Sequence, residues 1–312
     1  MSLVDDYEAL YRDRAGRVLA RDVLLVHGPD AESYLQGQCT QDVAVLDMGS
    51  STESLVLSPQ GKVDGYVRIT RQADDAFLLD TEAGFGSALR ARLERFKLRV
   101  KAEFDHMDWL CVSVRGPASP SPDDATGRAE LAVPFTWDGA RGIDLLGPEV
   151  RLPDGVRDCD PGAWEAWRIE VGIPALGREL DERTIPAEAG LLERCVSFTK
   201  GCYTGQELVA RLDSRGNRVA RHLRAIVLGG EVLGGEVSGD DAETDPVPAG
   251  SEIADADSGK VVGSVTSSAW SPVNGVVALG YVHRDVVPPA GVVVRVNQEE
   301  HQAVVRALPL AR

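Results

Sequence analysis

Residues 200–207 run Lys-Gly-Cys-Tyr-Thr-Gly-Gln-Glu: a thiol between two glycines, with a lysine before it and a Gln-Glu pair after it. The chemistry open to such a run is that of a nucleophilic sulfur. A nearby cation favours thiolate, the reactive form of cysteine, and Lys200 lies just upstream of Cys202 with Arg211 downstream. Gly201 and Gly205 are expected to leave the sulfur accessible, and glycines here signal an unusual backbone angle or the close approach of another group. The plain alternative is a tight turn before a helix with one half-buried cysteine. Cys39, Cys111, Cys159 and Cys195 are expected to be small buried hydrophobes. No Cys-x-x-Cys pair occurs and the histidines are scattered, a spacing that argues against a zinc ribbon, a ferredoxin-type cluster or a disulfide scaffold.

The other candidates are acids and arginines. Asp64 follows Gly61-Lys62-Val63, and Glu170 stands on a predicted helix beside Trp164 and Trp167. Arg211, Arg215, Arg218, Arg221 and Arg224 cluster after the thiol run with only Asp213 among them to oppose them. The chain as a whole is acidic, with a formal net charge of −16. Its mean field repels phosphate, against general binding to nucleic acid or anionic membrane. A 312-residue chain that is 43% hydrophobic can bury a large core and is expected to divide into two or three compact units. No apolar run approaches the ~20 residues of a membrane-crossing helix. No secretory signal is visible over Met1–Gly16, so a cytoplasmic location is expected.

These residues need elements to position them. Residues 17–27 read as a strand, broken by Gly28-Pro29 before a helix that Asp30 can cap, carrying Ala31, Tyr34 and Leu35. Ser54–Leu57 and Gly65–Ile69 read as paired strands around the turn Ser58-Pro59-Gln60-Gly61, with a short strand at 77–79. Leu89, Leu93 and Phe96 recur at helical spacing in an amphipathic helix over 86–101 with arginines on its wet face. Residues 110–114 return to strand, and 116–127 form a polar joint. Asp160-Pro161 starts a helix that Gly172-Ile173-Pro174 ends, with Trp164, Trp167, Arg168 and Val171 on one face. Strand alternation resumes at about His222 and continues through 261–266, 275–282, 292–296 and 303–308 as an all-β module. The glycine-rich acidic stretch 229–250 reads as a solvated loop or hairpin. Residue pattern alone gives an α+β chain with a β C-terminus.

The eight-residue run, taken with lesser segments in this order, resembles the YgfZ-type folate-binding proteins, relatives of the aminomethyltransferase (T-protein) of glycine cleavage. The supporting segments are Tyr34-Leu35-Gln36-Gly37-Gln38-Cys39-Thr40-Gln41-Asp42-Val43, Pro59-Gln60-Gly61-Lys62-Val63, Arg168-Ile169-Glu170-Val171-Gly172, Pro186-Ala187-Glu188-Ala189-Gly190-Leu191 and Gly263-Ser264-Val265-Thr266-Ser267. The likeness implies an α+β, multi-domain, ring-like fold with folate in a central channel. It implies an N-terminal part (1–115), a second α+β part with the thiol run (116–217) and a C-terminal β-barrel (218–312). It implies tetrahydrofolate as cofactor. Cys202 and Asp64 are then the candidate catalytic groups, and Glu170, Lys200, Tyr203, Gln206 and Arg211 the candidate folate contacts. Glu170 matches the pterin-binding acid of the T-protein. Asp64 stands near where the T-protein carries two aspartates, but Gly65 replaces the second, a departure from the pattern of the glycine-cleavage enzyme. The function implied is an accessory role in assembling or repairing iron–sulfur enzymes, including tRNA-modifying ones, with those enzymes or their assembly factors as partners. A folate-dependent aminomethyltransferase or demethylase is the alternative. On either reading the tryptophan-bearing helix and the thiol turn are expected to line one hole.

Overall fold

The structure, a computed structural model, describes residues 2–125, 129–229 and 245–310. Most of the acidic glycine-rich stretch, 230–244, lies outside the described residues. In chain order the elements begin with α1 (Leu3–Arg12), β1 (Ala15–Leu19), β2 (Arg21–His27), α2 (Ala31–Gln38), β3 (Ser51–Leu57), β4 (Val63–Ala73), β5 (Ala76–Glu82) and α3 (Gly86–Arg95). Then come β6 (Glu103–Met107), β7 (Leu110–Arg115), β8 (Leu131–Trp137), β9 (Ala140–Gly147), β10 (Arg157–Asp158), α4 (Pro161–Val171), α5 (Leu192–Cys195) and α6 (Gln206–Asp213). The chain closes with β11 (Arg221–Leu228), β12 (Glu252–Asp255), β13 (Val261–Ser271), β14 (Gly275–His283), β15 (Ala290–Val296) and β16 (Glu299–Arg306).

Three sheets organise these elements. One runs β3-β4-β5-β2-β6 and is backed by α2 and α3, whose Tyr34, Leu35, Leu89 and Leu93 bury against Val67, Ile69 and Leu79. A second runs β10-β1-β7-β9-β8, and the third closes on itself as the six-stranded barrel β11-β14-β13-β12-β15-β16. The fold is thus α+β and multi-domain with a C-terminal barrel. Closure leaves the barrel no unpaired edge, and its alternating Val and Ile side chains fill the interior. The first two sheets meet through Val23, Leu78, Cys111, Leu131, Val133 and Leu146. Helix α4 bridges them to the barrel, its Trp164, Trp167 and Ile169 sharing a core with Tyr7, Leu55, Tyr203 and Tyr281. No helix among the described residues is long and apolar enough to cross a membrane.

Helix α4 starts and stops as its residues dictate. Asp160 Oδ1 accepts from Gly162 N at 2.8 Å and Ala163 N at 3.2 Å, Pro161 occupies the first turn, and Gly172 ends the helix at φ 83°. That φ is the left-handed region open to glycine. Three expectations are corrected. Residues 17–27 are two strands in different sheets, because the chain crosses from one to the other between Leu19 and Arg21. Asp30 does not cap α2 with its side chain. Its Oδ2 instead accepts from Lys101 N at 2.8 Å, tying the start of α2 to the approach of β6. Helix α3 ends at Arg95, with Phe96 as its cap, and Arg99 has turned left-handed at φ 58°.

Candidate functional site

A cavity of about 570 Å³ opens between the first two sheets and α4. That volume lies within the ~300–1,000 Å³ of small-molecule sites. Five aromatic side chains line it: Tyr66, Phe135, Trp137, Trp164 and Trp167. Trp164 and Trp167 stand 5.6 Å apart between ring centroids, tilted by 47°. Position does this work, because residues three apart on a helix share a face. Arginines and acids line it too: Arg21, Arg68, Arg115, Arg168, Arg178 and Arg194 with Glu53, Glu82, Asp144 and Glu165. Arg115 lies 3.7 Å from the Phe135 ring and Arg194 4.2 Å from the Trp137 ring.

Beneath the cavity an ion network joins the two sheets. Arg68 reaches Asp80 on its own sheet at 2.9 Å and Asp144 on the other at 2.5 Å; Arg21 also takes Asp80, and Arg115 holds Asp144 at 2.8 Å. Burial alone would push the Asp144 carboxyl up, but Arg115 and Arg68, with hydrogen bonds from Arg115 and Ser113, hold it well below the usual carboxylate range. Breaking such a buried pair costs about 3–5 kcal/mol. The cavity floor is therefore rigid.

The thiol turn lies elsewhere. None of residues 200–207 lines the large cavity, so the expectation of one hole shared by the tryptophan helix and the sulfur is corrected. Lys200 is 9% exposed, and its ammonium donates to the carbonyls of Cys39 at 2.8 Å and Gln41 at 2.7 Å. Desolvation by burial lowers the Lys200 pKa. Thr204 N donates to Gly37 O at 3.1 Å. Gly205, at φ 83°, packs so closely that a Cβ would sit 2.6 Å from Ser58 O and 3.2 Å from Gly61 Cα. Three segments far apart in sequence, around 37–41, 58–61 and 200–205, therefore form one platform. Cys202 sits on it exposed, while Cys39, Cys111, Cys159 and Cys195 are buried. Burial pushes the Cys39 and Cys111 thiols up to about 12. Tyr203 is buried in the main core, Gln206 opens α6, and Arg211 pairs with Glu207 at 2.5 Å on the surface.

Asp64 is linked to this platform through Arg92. It is the extra residue of a β-bulge, since Val56 pairs with Gly65 and Leu57 with Val63. Its Oδ2 accepts from Arg92 Nε at 2.9 Å, and the same guanidinium bonds Gln38 Oε1 and Leu57 O and lies 4.0 Å from the Phe96 ring. Asp64 does not line the large cavity. Glu170 is 2% exposed and borders a separate cavity of about 500 Å³ with Tyr11, Arg141 and Leu310. Its Oε2 accepts from Tyr7 at 2.7 Å and Tyr11 at 2.5 Å, and its Oε1 from Ser271 at 2.6 Å and Asn274 at 2.7 Å. Four donors occupy this carboxylate, so the expectation that it reaches for a pterin gives way to a structural role tying α1 and α4 to the barrel. Trp167 borders both cavities.

Sequence reasoning missed Glu82, Arg115, Trp137, Arg178 and Arg194. A signal existed for Glu82: β5 places Leu78, Asp80 and Glu82 on one face, and two acids on an otherwise apolar strand face need partners.

Residues 21–122 match the glycine cleavage T-protein N-terminal domain, and residues 237–311 match the glycine cleavage T-protein C-terminal barrel domain. An uncharacterized protein of Haemophilus influenzae is 33% identical over 61% of this chain and 65% of its own length. A "tRNA-modifying protein YgfZ" of Vibrio vulnificus is 29% identical over 62% of this chain and 64% of its own. A mitochondrial "iron-sulfur cluster assembly factor" homologue of Neurospora crassa is 27% identical over 65% of this chain and 52% of its own. The chain thus spans from about half to just under two thirds of these relatives. The crystal structure of glycine cleavage system aminomethyltransferase T from Bartonella henselae superposes with a TM-score of 0.79 over 99% of this chain and 90% of that one, at 20% identity, a likeness of fold.

Proposed function

This chain belongs to the glycine cleavage T-protein superfamily as a YgfZ-type member, and from that premise we propose that it is a tetrahydrofolate-binding accessory protein supporting assembly or repair of iron–sulfur enzymes, tRNA-modifying ones included, with Cys202 as its working thiol. The observation that carries the reading is the tryptophan-walled cavity. A reduced folate needs a flat apolar wall, a few polar groups for its pterin edge and cations for its glutamate carboxylates. Trp164 and Trp167 supply the wall, Glu82 the acid, and Arg178 and Arg194 the cations. When bound, the folate would supply one-carbon chemistry. The residues here hold it and exclude water.

Cys202 supports an accessory role because it is displayed outward on a braced turn, where a protein partner can reach it. The ion pair of Asp64 with Arg92, away from the cavity wall, weighs against the aminomethyltransferase or demethylase reading. The test has two arms. Wild type and Cys202→Ala are expected to bind tetrahydrofolate alike by calorimetry, while only wild type restores iron–sulfur enzyme activity in a strain lacking the gene. A wild type that binds no tetrahydrofolate, or a Cys202→Ala variant that restores activity fully, overturns the proposal.

A further inference from the structure

We infer that Glu82 is the acid that receives the ligand's N–H edge in the large cavity, and that this edge is a flat cyclic amidine or lactam bearing adjacent N–H donors. The inference rests on the folate reading above and names the residue that reads the heterocycle. Four carboxylates line the cavity. Glu53 is paired with Arg194 at 3.2 Å, Asp144 with Arg68 and Arg115, and Glu165 with Arg168 and Arg178. Glu82 differs from all three: its Oε2 is buried with no hydrogen-bond partner among the described residues. Among the described residues its Oε1 receives only Leu176 N, at 3.4 Å. Arg21 sits opposite Glu82 across the strand pair, yet gives its Nε to Asp80 at 2.5 Å.

A buried carboxylate oxygen without a donor is costly, and folded proteins rarely keep one that nothing satisfies. The position is also fixed, because Glu82 ends β5, the central strand of its sheet. Its last side-chain torsion is soft, so turning the unpaired oxygen toward a ligand needs little rearrangement. A carboxylate matches two parallel N–H donors on a planar group, and the aromatic wall of the same cavity offers that group a face. Arg115 Nε is also without a partner, but the Phe135 ring covers its guanidinium at 3.7 Å, which leaves Glu82 as the group a ligand reaches. Glu170 has no such vacancy, its two oxygens being met by four donors.

The test titrates tetrahydrofolate into wild type, Glu82→Gln, Glu82→Asp and, as a control away from both cavities, Glu149→Gln, following tryptophan fluorescence with thermal melts as a fold control. Both Glu82 variants are expected to weaken binding by about tenfold or more, the size of a hydrogen bond to a charged group. Glu149→Gln should stay within about threefold of wild type, a difference well below one such bond. p-Aminobenzoylglutamate, which lacks the pterin, should bind wild type and Glu82→Gln equally. Wild-type binding with both folded Glu82 variants unchanged refutes the assignment of Glu82 and leaves the folate reading standing. Failure of wild type itself to bind refutes the folate reading, and this inference with it.

Discussion

Hydrogen-bond donors decide what the carboxyl groups of this protein do. Glu170 and Glu82 are both acids near tryptophans, and the sequence segment around Glu170 favours it as the ligand acid. Segment likeness cannot show that Tyr7, Tyr11, Ser271 and Asn274 converge on it, because those donors come from α1 and from the barrel, far off in the chain. The thiols were more legible. One exposed cysteine among five agrees with reading the glycine-flanked position as the accessible one and the rest as packing. What the sequence did not disclose is that Lys200 spends its ammonium on the carbonyls of Cys39 and Gln41, not on the sulfur. Iodoacetamide at about neutral pH is expected to modify Cys202 alone in the folded protein. Burial restricts access to the others and raises the pKa of Cys39, Cys111 and Cys159 to about 12, so they carry little thiolate at that pH. Equal labelling of Cys39 or Cys111 by mass spectrometry would contradict this.

Local signals in the sequence specify single elements, whereas strand pairing depends on residues distant in the chain. The cap and stop of α4 lie within a dozen residues of one another in sequence, as does the β3–β4 turn, and both appear as expected. The sequence pattern does not mark strands β8 and β9. Pro134 interrupts the pattern of β8 and is tolerated because that strand is an edge. The bulge at Asp64 and the crossing after Leu19 depend on neighbours that a linear pattern does not contain. The two glycines of the thiol turn look alike in sequence and differ in place. Gly201 has open space where a Cβ would go, whereas Gly205 combines φ 83° with the carbonyl of Ser58. Gly205→Ala is therefore expected to destabilise the protein by more than about 1 kcal/mol, and Gly201→Ala to stay within about 0.5 kcal/mol. Urea denaturation of the two variants checks this, and equal midpoints would remove the close docking of the turn from the account.

At the scale of the whole molecule, two functional surfaces share one scaffold. The first sheet contributes Tyr66 and Glu82 to the cavity and, through its β3–β4 turn, the seat of Gly205. The buried network of Arg21, Arg68, Asp80, Arg115 and Asp144 fixes that sheet against the second. The order of motifs in the sequence was enough to suggest an α+β chain ending in a barrel. It placed the thiol and the tryptophans in one hole because sequence order carries no information about which face of a sheet each segment reaches. A crystal structure of the protein with saturating 5-formyltetrahydrofolate decides whether a reduced folate occupies the cavity walled by Trp164 and Trp167, as proposed. Pterin density is expected against Trp164 and Trp167 with its N–H edge at Glu82; density in the cavity beside Glu170 instead, or none against the two tryptophans, would contradict the proposal.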